Sequence, residues 1–435
     1  MTSEVDILIN NGLIITMDKN KTIFYNGSIA IKDNKILEVD AKEIVAEKYK
    51  ADKVIDAANK MVIPGLINGH THAGMSLLRG YADDLPLKSW LEEHIWPIEE
   101  KYMNMKNIGL GTKLAILEMV HAGITCYNDM YFHENKVAEV SAKAGIRTVI
   151  GEGLIDYPDS SNNIEEKFQY IEELLFKWKE EQLIEISVAP HSPYTCTPEL
   201  LKRTKKFADQ KNLTYHIHLA ETNIEKNLIP DNNLTPTQYL ESLDLLSDNV
   251  VAVHCVHLNK KDINLLKNNN VSVVHNPTSN NKLASGIAPV KDLIKANVNV
   301  CLGTDSAASN NNLDIFKEMK SASLIQKVIN GDPTTLPAEK IFEMATINAA
   351  KALKIEHKVG SIEKNKYADI VIMDINNAHS VPMYDPYSHL VYAANSADVE
   401  TVVVNGKMVM KNKEILTLDE ENILNQVKQL ARKIK

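Results

Sequence analysis

Two histidines separated by one residue are the most chemically suggestive feature of this sequence. His70-Thr71-His72 closes a short apolar run. Residues two apart on a β-strand point to the same face, so both imidazoles would face one side. Two neutral imidazoles on one face suit a borderline metal such as Zn²⁺. Alone the pattern is weak, because two ordinary polar residues at a strand end would look the same.

Three further strand-like segments end in residues of the same kind. His216 and His218, with Glu221 three residues on, end one of them; His254 ends the next; Asp305 follows the last. Each residue is of a type that ligates metals or transfers protons. Their position at separate strand ends predicts one shared site rather than four unrelated polar groups.

The chain from Pro64 onward alternates short apolar runs with amphipathic helical stretches. Eight runs are candidate strands, at residues 61–66, 124–127, 147–150, 184–189, 213–218, 250–254, 271–275 and 298–302. This alternation implies a parallel sheet, and eight strands is the number that a (β/α)8 barrel needs. The catalytic face of such a barrel lies at the carboxyl ends of its strands, where the residues above are found.

Both ends of the chain instead read as short strands separated by turns. The amino-terminal runs are at 5–9, 13–17 and 27–31, with a turn expected at Asn11-Gly12, and the carboxyl-terminal runs are at 368–373, 401–406 and 408–410. These segments could pack as one small β-sandwich. The sequence therefore predicts an α/β protein with a composite β-sandwich domain (1–60 and 356–435) and a (β/α)8 barrel (61–355).

Composition narrows the function classes. The 435 residues are 44% hydrophobic and 24% charged, with a net charge of -9, which disfavours a general nucleic-acid binder. No apolar stretch reaches the ~18–20 residues of a membrane span, and the amino terminus lacks a signal-peptide layout, so a cytoplasmic location is expected. The four cysteines show no C-x-x-C spacing, which indicates buried thiols rather than metal ligands.

Longer motifs surround these residues, at 62–72 (V-I-P-G-L-I-N-G-H-T-H), 78–87, 190–194, 218–222, 254–258, 275–286 and 302–306. With them the chain resembles the amidohydrolase superfamily and, within it, the 5'-methylthioadenosine/S-adenosylhomocysteine deaminases, over nearly its whole length. Guanine deaminases and triazine hydrolases share much of this framework. The resemblance is therefore more specific for the superfamily than for the substrate.

The resemblance implies one divalent metal per subunit, Zn²⁺ first and Fe²⁺ or Mn²⁺ as alternatives, held by His70, His72, His218 and Asp305. His216 competes with His218 because it faces the same way. The family pattern of a glutamate three residues after the ligand favours His218 and leaves His216 as a supporting or core residue. Binuclear relatives carry a carboxylated lysine where this chain has Pro190-His191-Ser192, so a single metal is expected.

The implied reaction assigns a role to each polar residue near the metal. Hydrolytic deamination needs a nucleophile at neutral pH, and a bound Zn²⁺ lowers the pKa of water to about 7. Glu221 is the candidate to move a proton onto the ring nitrogen, and Asp305 can accept the proton of water. His254 can hydrogen-bond the attacking water. His257, three residues on, competes for that role but follows the strand end.

Residues for the rest of the substrate follow from the same resemblance. Glu99 is the candidate partner of ribose hydroxyls and His191 a contact to the nucleoside, while Glu221 and Asp305 would touch the reacting group. The alternatives are a helix carboxylate for Glu99 and a packed strand-end imidazole for His191. Three apolar residues could either wall the pocket or belong to the core: Met75, Leu85 and Trp90.

One residue departs from the family pattern. Related deaminases tend to carry an arginine in the segment that here reads Ile150-Gly151-Glu152-Gly153-Leu154. Such an arginine would contact the substrate's tail, for example a homocysteine carboxylate. Glu152 would repel a carboxylate and could prefer a hydroxyl or an amine. This weakens S-adenosylhomocysteine as a substrate more than methylthioadenosine or adenosine.

The sequence thus predicts a metal-dependent aminohydrolase that converts an adenosine derivative to its inosine analogue and ammonia. Deamination or dechlorination of guanine or a triazine is the alternative, and a non-enzymatic scaffold on the same fold is the remote one. The expected partner is a small purine nucleoside, with no nucleic acid and no membrane; a homo-oligomer is left open.

Overall fold

The computed structural model describes residues 2–156 and 164–434. The amino-terminal strands are β1 (Ser3–Ile15), β2 (Ile23–Lys32), β3 (Lys35–Ala41), β4 (Tyr49–Asp56) and β5 (Lys60–Pro64). β1 pairs antiparallel with β2 and parallel with both β4 and β5. Contrary to the sequence prediction, no turn interrupts β1 at Asn11-Gly12. Asn11 has a φ of 66° and the β1–β2 register shifts there, so the two residues form a bulge within one long strand.

Eight parallel strands follow and form a nearly closed barrel: β6 (Leu66–Thr71), β7 (Ile124–Tyr131), β8 (Arg147–Leu154), β9 (Ile184–Pro190), β10 (Thr214–Leu219), β11 (Val250–His254), β12 (Ser272–His275) and β13 (Asn299–Leu302). Each strand pairs with the next along the chain. Between the last strand and the first, the amide of Asp305 donates to the carbonyl of His70 (3.0 Å). The carboxyl ends of all eight strands therefore surround one mouth.

The chain then returns to the first sheet with β14 (Ile370–Asp374), β15 (Val399–Val404), β16 (Lys407–Lys411) and β17 (Glu414–Ile415). β14 pairs antiparallel with β5, which joins the strands of both termini in one nine-stranded sheet. This confirms the predicted α/β fold, a barrel with a separate β unit from the two ends of the chain. The domain boundaries at 60/61 and 355/356 stay a prediction.

The run at 61–66 is not the first barrel strand, as the sequence suggested. Its first four residues lie in β5, and the barrel begins at Leu66. Gly65 lies at the crossing between the two sheets, where its amide donates to the carbonyl of Asp369 (2.9 Å). A Cβ at Gly65 would lie 1.9 Å from Oγ1 of Thr125, so only glycine lets the chain pass there.

One helix, α1 (Lys42–Lys48), connects β3 to β4 and packs on the terminal sheet. The other helices connect the barrel strands or follow them in the chain: α2 (Leu87–Ser89), α3 (Trp96–Tyr102), α4 (Met105–His121), α5 (Glu134–Ala144), α6 (Ile164–Trp178), α7 (Pro198–Lys211), α8 (Pro236–Ser242), α9 (Lys260–Asn268), α10 (Pro277–Lys282), α11 (Val290–Lys295), α12 (Ala307–Asn310), α13 (Ile315–Asn330), α14 (Ala338–Met344), α15 (Ile347–Ala352), α16 (Pro386–Ser388) and α17 (Glu420–Ile434). Short 3₁₀ segments lie at Ala73–Leu78, Asn223–Asn227 and Ser396–Asp398, and π-helical segments at Trp90–Ile95 and His389–Ala393. In the described part of the chain no helix is long and apolar enough to cross a membrane.

The amino-terminal end of the barrel is filled by apolar side chains. Ile67, Val149 and Val274 form one buried cluster with Ala349 of α15. The same helix packs on the start of β13, where Nδ2 of Asn299 donates to the carbonyl of Asn348 (3.0 Å). With this end closed, ligands reach the barrel interior from the opposite, carboxyl-terminal mouth.

A fully buried ion pair ties the barrel to the terminal sheet. Arg147, at the start of β8, donates from Nε and Nη2 to the carboxylate of Asp369 (2.9 and 3.2 Å). Its remaining nitrogen donates to the carbonyl of Gln182 (2.8 Å). The amide of Asn405 donates to the same carboxylate (2.8 Å). Every charged group here is paired, the condition under which a buried ion pair is tolerated.

Replacing Arg147 with methionine is expected to lower the free energy of unfolding by about 3–5 kcal/mol, because Asp369 would remain buried without its partner. Urea denaturation followed by circular dichroism measures this loss. The double variant Arg147→Met/Asp369→Asn should be more stable than the single variant, since the asparagine still accepts from Asn405 and carries no charge. In contrast, Lys354→Met removes an exposed pair with Asp248 and should cost less than about 1 kcal/mol. A comparable loss from both single variants would contradict the assigned role.

Candidate active site

Three imidazoles and one carboxylate converge at the mouth of the barrel. His70 and His72 come from the end of β6, His218 from β10, and Asp305 follows β13. Nε2 of His70 lies 3.2 Å from Nε2 of His218 and 3.6 Å from Oδ1 of Asp305. Nε2 of His72 lies 3.3 Å from the same oxygen. The structure thus brings together all four residues predicted as metal ligands.

Hydrogen bonds fix which ring nitrogens are free. Nδ1 of His218 lies 2.8 Å from the carbonyl of His191, and Nδ1 of His72 contacts the carbonyl of Met130. A carbonyl oxygen can only accept, so in both rings Nδ1 carries the hydrogen and donates. The Nε2 lone pairs therefore point into the cluster, toward each other and toward the carboxylate of Asp305. A bound metal ion would satisfy such an arrangement.

The distances fit a divalent metal. With bonds of about 2.0–2.1 Å, the ligand atoms of a tetrahedral zinc site lie about 3.3–3.4 Å apart. The observed separations of 3.2, 3.3 and 3.6 Å bracket that value. Three neutral imidazoles with one carboxylate are also the ligand types that zinc and similar metals prefer.

The electrostatics of the cluster point the same way. Burial lowers the pKa of His70 to about 3 and holds the pKa of His218 well below its usual value, so both rings are neutral. For His72, burial is outweighed by the hydrogen bond and charge of Asp305, which raise its pKa to about 8. The pKa of Asp305 is lowered well below its usual value, because the nearby imidazoles outweigh its burial. Asp305 is therefore ionised and supplies a negative charge that attracts a cation.

Asp305 is held rigidly for this role. Oδ2 accepts from the hydroxyls of Ser279 (2.6 Å) and Ser309 (3.0 Å), and Oδ1 accepts from the amide of Ser306 (2.7 Å). Its backbone has a φ of 62°, a left-handed conformation that is uncommon outside glycine. His254, at the end of β11, has a φ of 73°. Strained backbone of this kind clusters at functional sites.

His216 lies beneath the cluster rather than in it. Its Nε2 is 3.0 Å from Nδ1 of His70, and its side chain is fully buried. For His70 to keep its Nε2 lone pair free, its Nδ1–H must donate to His216. His216 is therefore placed to orient the ring of His70, in line with the supporting role that the sequence suggested for it.

Replacing His216 with alanine is expected to weaken metal binding by about 10–100-fold, because His70 would lose the acceptor that fixes its tautomer. Competition with a chromophoric chelator measures the affinity, and circular dichroism checks the fold. His216→Gln is the matched control: its amide oxygen can still accept from His70, so a smaller loss is expected. Unchanged affinity in a folded alanine variant would contradict the assignment.

Glu221 and His254 stand next to the cluster and face each other. Oε2 of Glu221 is 3.8 Å from Nε2 of His254, whose Nδ1 lies 2.9 Å from Oδ1 of Asn280. Because Asn280 accepts there, Nε2 of His254 has its lone pair directed into the site. Burial raises the pKa of Glu221, while His254 opposes the shift. The carboxyl group of Glu221 therefore binds a proton more readily than an exposed glutamate does. His257 donates away from the site, to the carbonyl of Ser285 (2.7 Å).

A cavity of about 700 Å³ extends from these groups. It is large enough for a nucleoside. Its walls include the predicted pocket residues Met75 and Trp90, whereas Leu85 packs against the hydrophobic core. Glu99 and His191 also line it. The structure therefore gathers every predicted substrate residue around one space.

Glu99 and His191 have neighbours that the sequence did not single out. The hydroxyl of Tyr131 donates to Oε1 of Glu99, and burial raises the pKa of that carboxyl. Nδ1 of His191 lies 2.9 Å from the hydroxyl of Thr195, and burial lowers its pKa to about 4. Tyr131 ends β7, which is the position at which other barrel strands supply functional groups. That position was the signal that could have identified it.

Glu152 lines the cavity, but its carboxylate has a structural task. It accepts hydrogen bonds from two backbone amides at the start of α5. These belong to the N-cap residue His133 (3.1 Å) and to the first helical residue, Glu134 (2.9 Å). Carboxylates stabilise helix amino termini in this way. Burial raises the pKa of Glu152 to about 7. Glu152 therefore also acts on a ligand indirectly, because it fixes the position of His133 in the cavity wall.

The chain is similar to several known proteins over most or all of its length. The profile of the amidohydrolase family matches residues 61–409. A 5-methylthioadenosine/S-adenosylhomocysteine deaminase of Syntrophobacter fumaroxidans is 43% identical over 100% of the chain and 99% of its own length. A 5'-deoxyadenosine deaminase of Methanococcoides burtonii is 43% identical over 98% and 97%. Among solved structures, an adenosine deaminase from Xanthomonas campestris with bound zinc superposes with a TM-score of 0.97, at 34% identity, over 100% and 99% of the two chains.

Proposed function

The chain belongs to the amidohydrolase family, and from this premise we propose that it deaminates an adenosine derivative hydrolytically, giving the inosine analogue and ammonia. The observation that carries the proposal is the convergence of the histidine–aspartate cluster with Glu221 and His254 at one end of a nucleoside-sized cavity. Full-length relatives named as deaminases of methylthioadenosine, S-adenosylhomocysteine and 5'-deoxyadenosine support the substrate class.

His70, His72, His218 and Asp305 would hold a single divalent metal, with zinc as the first choice. The zinc in the Xanthomonas campestris structure and the ligand types of this cluster support that choice. When bound, such a metal lowers the pKa of water and so makes the nucleophile available at neutral pH.

The residues of this chain would handle the protons. Water attacks the ring carbon that bears the amino group, while the buried carboxyl of Glu221 gives a proton to the adjacent ring nitrogen. Nε2 of His254 accepts a hydrogen bond from the attacking water and orients it. Asp305 accepts the proton of the water and passes it to the departing amine. The carbon–nitrogen bond then breaks and ammonia leaves, while the new hydroxyl gives its remaining proton to the carboxylate of Glu221 and becomes the carbonyl of the product.

The rest of the nucleoside would lie along the cavity. The carboxylate of Glu99 can accept hydrogen bonds from the ribose hydroxyls, with Tyr131 holding it in place. His191 offers an imidazole beside the same space. The apolar walls, including Trp90, suit the face of a purine.

An absorbance screen tests the proposal, since conversion of an amino purine to an oxo purine changes the spectrum. The substrates are adenosine, 5'-deoxyadenosine, 5'-methylthioadenosine, S-adenosylhomocysteine and guanine, and the metal content is measured on the same protein. Turnover of at least one adenosine derivative with about one equivalent of divalent metal is expected. If only guanine reacts, or if nothing does, the proposed function is wrong.

A further inference from the structure

The end of the cavity far from the metal cluster determines which substituent a nucleoside can carry at its 5' position. This inference rests on the proposed function, because the amino group must sit at Glu221 and the cluster. The remainder of the molecule then extends toward cavity residues outside the cluster. These include Leu91, Trp96, Phe132, Ile155 and Tyr194.

Apart from histidines, the acid and base side chains among the described wall residues of this cavity are carboxyl groups. Among the described side chains on its walls, the carboxylates are Glu99, Glu100, Glu152, Glu221 and Asp305, and none is a lysine or an arginine. A ligand carboxylate that enters the cavity would therefore lose its hydration and gain no lysine or arginine partner from the described walls. Burying an unpaired charge in this way costs binding free energy.

Glu152 strengthens this effect through its position. Its carboxylate binds the two amides at the start of α5 and so holds Phe132 and His133 against the cavity. His133 has a φ of 56°, a strained conformation that these hydrogen bonds support. The far wall is thus a fixed turn with an acidic residue behind it, rather than a cationic pocket.

One cation approaches this end from outside the cavity. Nζ of Lys167 donates to the carbonyl of Ile155. Burial lowers the pKa of Lys167, while Asp156 and Glu152 act against that shift. Two carboxylates therefore face one half-buried ammonium whose hydrogen bond is already made. Lys167 is not among the residues that line the cavity.

We propose that the protein accepts adenosines whose 5' substituent carries no negative charge, such as 5'-deoxy, 5'-hydroxyl and 5'-methylthio groups, and disfavours those with a carboxylate. Glu152 is the positioning residue of this selectivity, because it sets the wall that faces the substituent. S-adenosylhomocysteine, with its amino-acid tail, falls in the disfavoured class.

Three thioethers of 5'-deoxyadenosine test the role of charge directly: the methylthio, the carboxymethylthio and the aminoethylthio compounds. We expect kcat/KM for the carboxymethylthio compound to be about 100-fold below that for the methylthio compound, and the aminoethylthio compound to fall less. S-adenosylhomocysteine is measured beside them. A carboxymethylthio value within about 3-fold of the methylthio value would overturn the inference. Failure of all four compounds and of adenosine would instead overturn the proposed function.

Variants at Ile155 and Lys167 separate charge from shape. Ile155→Arg should raise the carboxymethylthio-to-methylthio ratio of kcat/KM by about 10-fold or more, because it supplies the missing cation. Ile155→Gln, of similar length without charge, should leave this ratio low; an equal rise would overturn the charge argument. Lys167→Met should leave the ratio unchanged. A selective loss of carboxymethylthio turnover would show that Lys167 serves as the cation, and the inference would be wrong.

Discussion

Glu221→Gln is expected to lower kcat for the best adenosine substrate by about 10³-fold, within the 10²–10⁴ range of general acid–base catalysis. The amide of glutamine has the shape of the carboxyl group but cannot pass a proton to the ring nitrogen. KM should change little, because an amide can still hydrogen-bond the purine. The metal should stay bound, since Glu221 is not among the four ligand residues.

The environment of Glu221 explains the size of this effect. Its backbone is fixed by Glu225, whose Oε1 accepts from the amides of Glu221 (2.6 Å) and Thr222 (2.9 Å). Ala220, just before it, has a φ of 51° and turns the chain at the end of β10. The carboxyl group is thus held next to His254. In the described part of the chain, no other carboxylate forms an ion pair with that imidazole. In Glu221→Gln, no other described carboxyl group is paired with His254 to donate the proton instead.

Glu225→Gln is the matched control for this prediction. Glu225 is equally buried, and burial raises its pKa to about 7. Its glutamine variant keeps an oxygen that can accept from both amides, so a loss below about 10-fold is expected. Steady-state kinetics and metal analysis on both variants make the comparison. Near-normal activity in Glu221→Gln, or an equal loss in both, would contradict the assigned role.

The ligand residues could be predicted because strand periodicity and the barrel's topology constrain them together. His70 and His72 share a face, and the end of β13 must meet the end of β6 when the barrel closes. The two strand ends are in close contact at Gly303, where a Cβ would lie 2.9 Å from the amide nitrogen of His70. Strand periodicity and topology therefore predict that these residues share one site, whereas the assignment of the four as metal ligands came from the family resemblance.

The choice between His216 and His218 could not be made from periodicity alone. Both residues face the barrel interior. Because they are two residues apart on one strand, their positions along the strand differ by about 6–7 Å. The deeper residue, His216, meets the Nδ1 side of His70, whereas His218 reaches its Nε2 side. That depth depends on how neighbouring strands are staggered, which the sequence of one strand does not contain.

Glu152 and Tyr131 show a second limit of sequence analysis. The sequence singled out Glu152 as a departure from the family pattern just after the predicted strand at 147–150, but its hydrogen bonds go to the start of α5. Tyr131 was not singled out, although it positions Glu99. Side-chain direction at a strand end depends on the loop that follows, and loops follow no period. The position of β8 could therefore be predicted from the sequence, but the hydrogen bonds of the side chains near its end could not.

Asp305→Asn is expected to abolish tight metal binding and to lower kcat/KM by at least about 10³-fold. The substitution removes the only formal negative charge among the four ligand residues. It also removes the group that would accept the proton of water. After dialysis, the variant should retain well under one equivalent of metal, as measured by mass spectrometry, while the wild type retains about one.

The fold itself should survive this change, which makes the prediction informative. In the variant, one amide atom can remain an acceptor for the amide of Ser306, and the other can donate to Ser279 and Ser309, whose hydroxyls rotate to accept. Added zinc should then raise the Tm of the metal-free wild type much more than that of the variant. Ser309→Ala is the control, since it removes one hydrogen bond to Asp305 but keeps the charge, and it should lose far less metal. If Asp305→Asn kept its metal and its activity, the carboxylate would be neither a ligand nor the proton acceptor.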